Sequence, residues 1–461
     1  MRPTFHDHLF LDNDSTVPIY RQIHLRLREG ISAGRLRAGE RVPSTRALAQ
    51  QLGLARGTVA AAYALLTAEG YLEAHGQAGS QVAEVRLASR AGGVAEETVL
   101  PQAFQMGLPA LDAFPRKAWG RLAARAARAT QVQHMVMAPP SGMPALRAAI
   151  ADYLGIARGI DCLPAQVFVS AGYGSSMQLI LRALLEPGEQ VWVEDPGYPA
   201  TAALVRTAGL MPVPVPVDQD GLQIAAGLAQ APAARAAVLT PSHQYPLGVA
   251  MSAQRRHALL EWAARHGGWL IEDDYNGEFR YAGRPLPALA SWDAAGRVVY
   301  CGSFSQLLFP AIRLAFVVTP PALVERFERV CSLVPPSCPA LTQTIVSDFM
   351  QNGHFARHVR QMRKLYGERR QFLVNALADV LGDRLPLAVS DGGMHLLAAT
   401  APGADRTLAL RMRRQGMAPQ ALSDWYAEAP SQSGLLLGFT NIASEAQAKD
   451  LCRRMAGLMR E

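Results

Sequence analysis

The sequence predicts a multi-domain chain: a small helical N-terminal domain closed by a β-wing, a large α/β domain, and a final α+β segment. Three observations carry this expectation. Ile19, Ile23, Leu27 and Ile31 recur every four residues, the stripe of an amphipathic helix, and two shorter helical patterns follow before Gly70. From Phe114 to about Val318 helical patterns alternate with short β-rich runs, the signature of a mainly parallel, helix-covered sheet. Beyond about Leu323 the pattern changes to long arginine-rich helices and one apolar run, Gly434–Phe439.

The first domain is assigned to residues 12–84. Gly34 ends its first helix, and Ser44 offers an N-cap to a short helix over Thr45–Leu52 that Gly53 ends. A third helix begins near Ala55, with Val59, Tyr63 and Leu66 on one face. Tyr71–Val82 carries Gly76 and Gly79 between short apolar pieces, as a wing does. Residues 85–113 lack sustained periodicity and read as a linker that becomes ordered near Phe104–Pro109. In the second domain, residues 114–461, strands are expected at Gln166–Ser170, Gln190–Glu194, Met211–Val217, Ala236–Leu239, Gly268–Glu272, Arg297–Cys301 and Arg313–Val318. A small C-terminal subdomain is expected from about 323 to 461.

At 461 residues, 49% hydrophobic and 18% charged, the chain supports more than one core. No apolar run approaches the roughly 20 residues that span a bilayer, so no membrane partner is expected. Arg2, His6, Asp7 and His8 interrupt the first ten residues, so no signal-peptide pattern is read there. The five cysteines fit no metal spacing, which predicts reduced thiols in a cytoplasmic protein and no metal site.

The net charge of +7 is modest, but its distribution is uneven. Between Ile19 and Ala60 eight arginines face two glutamates, a local surplus of +6. A helix, a tight turn at Gly53 and a second helix can set the second helix in a DNA major groove. Its N-terminal residues then meet the duplex. Arg56 can hold guanine O6 and N7, and Thr58 can reach a phosphate or a thymine methyl. Ser44, Thr45 and Arg46 open the preceding helix, whose free N–H groups suit a phosphate. These five residues are the candidate contacts to double-stranded operator DNA. The stretch Pro43-Ser-Thr-Arg-Ala-Leu-Ala, with Leu52-Gly-Leu-Ala-Arg-Gly-Thr-Val and Glu69-Gly-Tyr-Leu, resembles the GntR family of bacterial regulators over residues 16–83. The chain departs from that family at Ala55, where serine is usual, and at the wing, Gly76-Gln-Ala-Gly-Ser.

In open α/β sheets ligands bind beyond the carboxyl ends of the strands. Polar residues of particular kinds follow four of the expected strands here: Asp195-Pro-Gly-Tyr198, Thr240-Pro-Ser-His243-Gln-Tyr245, Glu272-Asp273-Asp274-Tyr275, and Ser303-Phe-Ser305-Gln306. Together they suit a flat, protonated heteroaromatic ring bearing a phosphate. Asp273 can hold a pyridinium N–H, Tyr275 can donate to a phenolate oxygen, and Tyr198 can stack on the ring. Ser303, Ser305 and Arg313 can bind the phosphate. The constellation resembles the fold-type I pyridoxal-phosphate enzymes and, with the N-terminal domain, the MocR subfamily of GntR regulators. That resemblance implies a head-to-tail homodimer whose large domain senses pyridoxal phosphate, an amino compound or their adduct.

One position breaks the pattern. In the family a lysine seven residues before the phosphate arginine bonds covalently to the cofactor; counting back from Arg313 reaches Gln306. An amide nitrogen is not nucleophilic, so no catalytic residue is assigned and transamination is not expected. Only Lys117, Lys364 and Lys449 exist, and none has the right neighbours. Two further departures are Tyr173, where a small hydroxyl residue is usual, and Leu435-Leu-Leu-Gly-Phe, which lacks the enzymes' carboxylate-binding arginine near Leu436. The domain then either binds pyridoxal phosphate or its amine form non-covalently or serves another small effector. The rival functions are an aminotransferase with a DNA-binding appendage and a ligand-free dimerisation scaffold.

Overall fold

The structure, a computed structural model, describes residues 11–12, 15–74, 79–84, 100–132, 135–282, 286–336, 338–388 and 390–459. The chain divides into two compact units, residues 1–99 and 100–461.

The first unit contains α1 (Ile19–Ser32), β1 (Arg41–Val42), α2 (Thr45–Leu52), α3 (Arg56–Ala68), β2 (Leu72–Ala74) and β3 (Ser80–Val82). The apolar stripe of α1 does what its period requires: Ile23, Leu27 and Ile31 are buried against Leu48, Val59, Tyr63 and Leu66. Gly53 ends α2 in the left-handed conformation at φ 65°, a backbone state that costs glycine little. The expected wing is not a simple hairpin. β2 and β3 pair antiparallel, and the two-residue β1 pairs with β3 to make a three-stranded sheet. Too short to show a period of two, β1 left no signal in the sequence. Gly76 lies outside the described residues.

The second unit is built on an eight-stranded sheet. Its strands are β4 (Val167–Ser170), β5 (Gln190–Asp195), β6 (Met211–Asp218), β7 (Gly221–Leu222), β8 (Ala236–Leu239), β9 (Trp269–Asp274), β10 (Val298–Ser303) and β11 (Ala315–Val318), in the order β4-β11-β10-β9-β8-β5-β6-β7. β6, β5, β8, β9 and β10 run parallel, as the alternating pattern predicts. Two strands depart from a purely parallel sheet. β11 lies antiparallel to both β10 and β4, and β7 is antiparallel to β6. The reversal of β11 matters for function, because it brings the start of that strand to the edge where the parallel strands end.

Side chains alternate across this sheet. Val191, Val193, Ile271 and Val299 pack on one face with Met177 and Ile180 of α4 (Tyr173–Leu184). Trp192, Leu270 and Val298 pack on the other with Leu259 and Trp262 of α5 (Ala253–His266). The last part of the chain supplies the helices Ala340–Gln351 and His354–Val380 and a four-stranded antiparallel sheet, β12 (Leu387–Ala388), β13 (His395–Ala399), β14 (Gln420–Ala421) and β15 (Gly434–Gly438), in the order β12-β13-β15-β14.

The expected linker needs correction over its second half. Residues 100–113 belong to the second unit and are packed there, while 85–99 lie outside the described residues. Phe104 is fully buried, and its carbonyl accepts from the Gly438 N–H at 3.0 Å. The Ala418 N–H donates to the Ala103 carbonyl at 2.7 Å. The segment thus lies along the small sheet without a period of its own, which is why composition alone read as linker. Its approach is so close that a Cβ on Gly438 would sit 2.1 Å from the Gln105 carbonyl oxygen. Gly438→Ala therefore forces backbone apart, and we expect a loss of about 1–3 kcal/mol, read as a lower denaturation midpoint of the full chain.

Candidate functional site

The carboxyl ends of β5, β9 and β10 open into a cavity of about 900 Å³. All the residues expected to form the socket line it: Tyr198, Asp273, Tyr275, Ser303, Ser305, Gln306 and Arg313. Register explains the convergence. Ser303 at the end of β10 pairs with Ala315 at the start of β11, and Ala315 pairs with Ser170 at the end of β4. Arg313, two residues before β11, therefore reaches the edge that the parallel strands reach with their ends.

The phosphate-like end is a set of donors. Arg313 adopts φ 48°, the left-handed region that a side-chain-bearing residue seldom occupies. Its guanidinium covers Gly172, where a Cβ would lie 3.4 Å from the guanidinium carbon. Gly172 caps α4, its carbonyl accepting from the Ser175 N–H at 3.0 Å, while the Tyr173 and Gly174 N–H groups lack helical partners among the described residues and carry the positive end of the helix dipole. Ser303 and Ser305 complete the rim, the Ser305 N–H donating to the Ser303 hydroxyl at 3.2 Å. Tyr173 occupies the first turn of α4 with its hydroxyl bonded to Thr201 at 2.7 Å. The phenol is thus held toward the helix Pro199–Thr207.

At the other end two adjacent carboxylates behave differently, because successive strand residues point to opposite faces. Asp274 is neutralised by Arg158 at 2.6 Å, with both side chains almost fully buried, and it accepts from the Tyr300 hydroxyl at 2.8 Å and the Gly277 N–H at 3.1 Å. Asp273 faces the cavity, buried, with no cationic partner among the described residues. Burial pushes its carboxyl well above the usual range, and the neighbouring Asp274, Glu194 and Glu272 push it further. Burial also raises Glu194 to about 7, although it accepts from the Thr240 hydroxyl at 2.5 Å and N–H at 3.1 Å. An unpaired buried acid at a strand end favours a ligand that brings its own positive N–H.

Tyr275 departs from expectation. Its hydroxyl donates to the His243 carbonyl at 3.0 Å, so the proton expected for a phenolate is engaged and the oxygen is left to accept. Gln306 sits where Gly107 passes close by: a Cβ there would lie 3.6 Å from the Gln306 amide nitrogen. Asn276 donates to the Gln306 Oε1 at 3.5 Å. No lysine lines the cavity among the described residues. Lys364 and Lys449 pair with Glu368 and Glu445 on helix surfaces, and Lys117 is exposed near the start of Arg116–Arg128.

Several lining residues were given no role from the sequence. Tyr245 lies in the loop after β8, its ring centroid 4.7 Å from those of both Tyr275 and Trp425. Trp425, Asp424 and Gln420 come from the small subdomain, and Gln105 to Leu108 from the segment read as linker. Tyr245 belongs to the strand-end turn that drew attention to His243. For the others no local signal existed, because only the tertiary fold brings them to the cavity.

In the first unit Ser44, Thr45 and Arg46 cluster at the start of α2, and Arg56 and Thr58 in the first turn of α3. Ser44 caps α2, its hydroxyl oxygen accepting from the Ala47 N–H at 3.1 Å while its proton stays available to a phosphate. Ala55 supplies no side-chain cap to α3; its carbonyl accepts from the Thr58 N–H at 3.0 Å, and the Arg56 and Gly57 N–H groups have no helical partner among the described residues. Arg46 and Arg56 are exposed and form no ion pair among the described residues, whereas Arg26 and Arg35 pair with Glu29 and Arg28 with Glu69.

Comparison with known proteins matches this division. Residues 19–82 match the family model of bacterial regulatory proteins, gntR family, and residues 112–424 match that of aminotransferase class I and II. The probable rhizopine catabolism regulatory protein MocR of Rhizobium meliloti is 37% identical, covering 94% of this chain and 92% of that protein. The pyridoxine biosynthesis transcriptional regulator PdxR of Corynebacterium glutamicum is 31% identical, covering 91% of each. Among solved structures, an archaeal alanine:glyoxylate aminotransferase shares the fold at a TM-score of 0.72 and 24% identity, covering 79% of this chain and 91% of that one. No helix among the described residues is long and apolar enough to cross a membrane. The chain belongs to the MocR-type regulators of the gntR family, DNA-binding transcriptional regulators that join a helix-turn-helix unit to an aminotransferase-like domain.

Proposed function

We propose that the aminotransferase-like unit is a non-catalytic sensor that holds a phosphorylated pyridine, pyridoxal phosphate or pyridoxamine phosphate, without a covalent bond. The observation that carries this reading is the unpaired Asp273 at one end of a cavity whose rim holds Arg313, Ser303, Ser305 and the start of α4. The residues fit the group by chemistry. Asp273 would hold the ring N–H, Tyr198 would lie against the ring, and Arg313 with the helix N-terminus would hold the phosphate. When bound, such a cofactor supplies an electron-withdrawing ring. Gln306, at the position of the enzymes' lysine, offers an amide that hydrogen-bonds but does not attack, so the unit recognises rather than converts. The loss of covalent retention leaves ring and phosphate contacts, consistent with micromolar affinity of about −8 kcal/mol.

DNA contact is assigned to Ser44, Thr45, Arg46, Arg56 and Thr58. The protein would work in the cytoplasm as a head-to-tail homodimer, so that two helix pairs engage two operator half-sites. An exposed apolar patch on the second unit supports dimerisation: Val132, Met135, Val136 and Met137 are each at least 69% exposed, and Leu333 is 79% exposed. Ligand occupancy would then bias the operator-binding state by its differential affinity.

Two measurements test these assignments. Arg56→Ala should weaken operator binding by about 1–3 kcal/mol and relax sequence preference if it reads a guanine; unchanged affinity across salt concentrations removes Arg56 from the interface. The full chain mixed with pyridoxal phosphate should show saturable binding but no borohydride-reducible absorbance, whereas Gln306→Lys should gain a reducible band mapped to residue 306. A reducible band in the unaltered protein, mapped to one of its own lysines, would restore the enzyme reading.

A further inference from the structure

A second cavity, of about 430 Å³, opens between the loop after β8, the turn after β9 and the turn joining β12 to β13. That volume falls within the range of small-molecule sites, about 300–1,000 Å³. The two cavities share a wall. His243 lines the second, and its carbonyl accepts from the Tyr275 hydroxyl of the first. Asn276 also lines the second, and its amide nitrogen donates to Gln306 of the first at 3.5 Å. These two residues are only 6% and 2% exposed. Each nevertheless keeps a buried polar atom without a hydrogen-bond partner, Nε2 of His243 and Oδ1 of Asn276, and the Nε of Arg280 on the same cavity is a third. A folded interior pairs nearly all of its buried polar atoms, so three unpaired ones around one cavity point to a missing partner.

The charges around this cavity are already balanced. Arg280 donates to Asp391 at 2.9 Å, and Arg158, which donates to the Ser242 hydroxyl, is neutralised by Asp274. Burial pushes the imidazole of His243 down to about 3, so at neutral pH the ring is uncharged and offers one donor and one acceptor. What remains unpaired is therefore a donor, the Arg280 Nε–H, beside an acceptor, the Asn276 oxygen. A carboxylate would pair with the first and set oxygen against oxygen at the second. An ammonium would pair with the second and meet the Arg280 guanidinium. A group that carries a carbonyl and an N–H together satisfies both, and it brings no charge whose hydration must be lost. Leu247, Phe279 and Leu286 supply apolar surface for the rest of such a molecule. We infer that this cavity is a second small-molecule site, separate from the strand-end cavity, and that it takes an uncharged carboxamide through Asn276, Arg280 and His243.

The test titrates the full-length protein with three probes that share one ring and differ in the polar group: benzamide, benzoate and benzylamine, followed by ligand-observed NMR. Benzamide should bind about tenfold more tightly than either ion, the value of one or two additional hydrogen bonds. Asn276→Leu should abolish that preference at little cost in melting temperature, because it replaces an amide whose oxygen is unpaired. Ala388→Trp should block the cavity from its rim; Ala388 is exposed there, so the variant is expected to fold. Benzamide bound no better than benzoate or benzylamine overturns the inference. A benzamide preference that both variants leave unchanged places the probe elsewhere and overturns it too. Saturating pyridoxal phosphate should leave benzamide binding in place; displacement of benzamide puts it in the first cavity and overturns the separate site. Absence of pyridoxal phosphate binding, with benzamide binding that depends on Asn276, overturns the reading of the first cavity and supports this one.

Discussion

The strand-end site depends on a contact it does not contain, the buried pair between Arg158 and Asp274. Two adjacent aspartates at the end of β9 would repel each other in a low-dielectric interior. Arg158 resolves this by neutralising one of them on the far face of the sheet, where it also donates to Ser242 at 2.7 Å and the Leu286 carbonyl at 3.0 Å. The strand end is thereby fixed and Asp273 is left facing the cavity without a partner. Burying a polar acid unpaired is costly, so the ligand-free protein holds there a deficit that a bound cation relieves.

The sheet topology makes the second contribution. In a wholly parallel sheet the start of a strand lies at the opposite edge from the site. Because β11 runs against its neighbours, the residues just before it share an edge with the ends of β4 and β10. One reversed strand thus places an arginine opposite an aspartate across a single cavity, and no long side chain has to cross the sheet.

Much of this was legible in the sequence. Alternation of helical and β-rich runs read correctly as a helix-covered sheet because both faces of each strand are apolar, and polar residues could then be noticed where the runs stopped. The helix pair was readable from Ser44 and Gly53, which act locally as a cap and a left-handed turn. What stayed hidden is non-local. β1 is two residues long and exists only because β3 passes beside it. Residues 100–113 owe their order to β15 and the loop before β14 rather than to any pattern of their own. Trp425 and Asp424 lie more than a hundred residues from the strand ends they face, and no spacing rule reaches that far. The hydrogen bond of the Tyr275 hydroxyl could not be foreseen, because its acceptor, the His243 carbonyl, comes from another strand end.

The segment from Ala103 to Leu108 also has a bearing on how such a cavity changes over generations. It is held to the small sheet by main-chain hydrogen bonds at Ala103 and Phe104 and by the absence of a side chain at Gly438. Main-chain bonds are indifferent to residue identity. The side chain at 108, which lines the cavity, is therefore free to vary while the strand-like path beneath it stays in place. The wall behaves as an interchangeable lining on a fixed frame, so descendants of one fold can come to recognise different small molecules without altering the sheet that supports them.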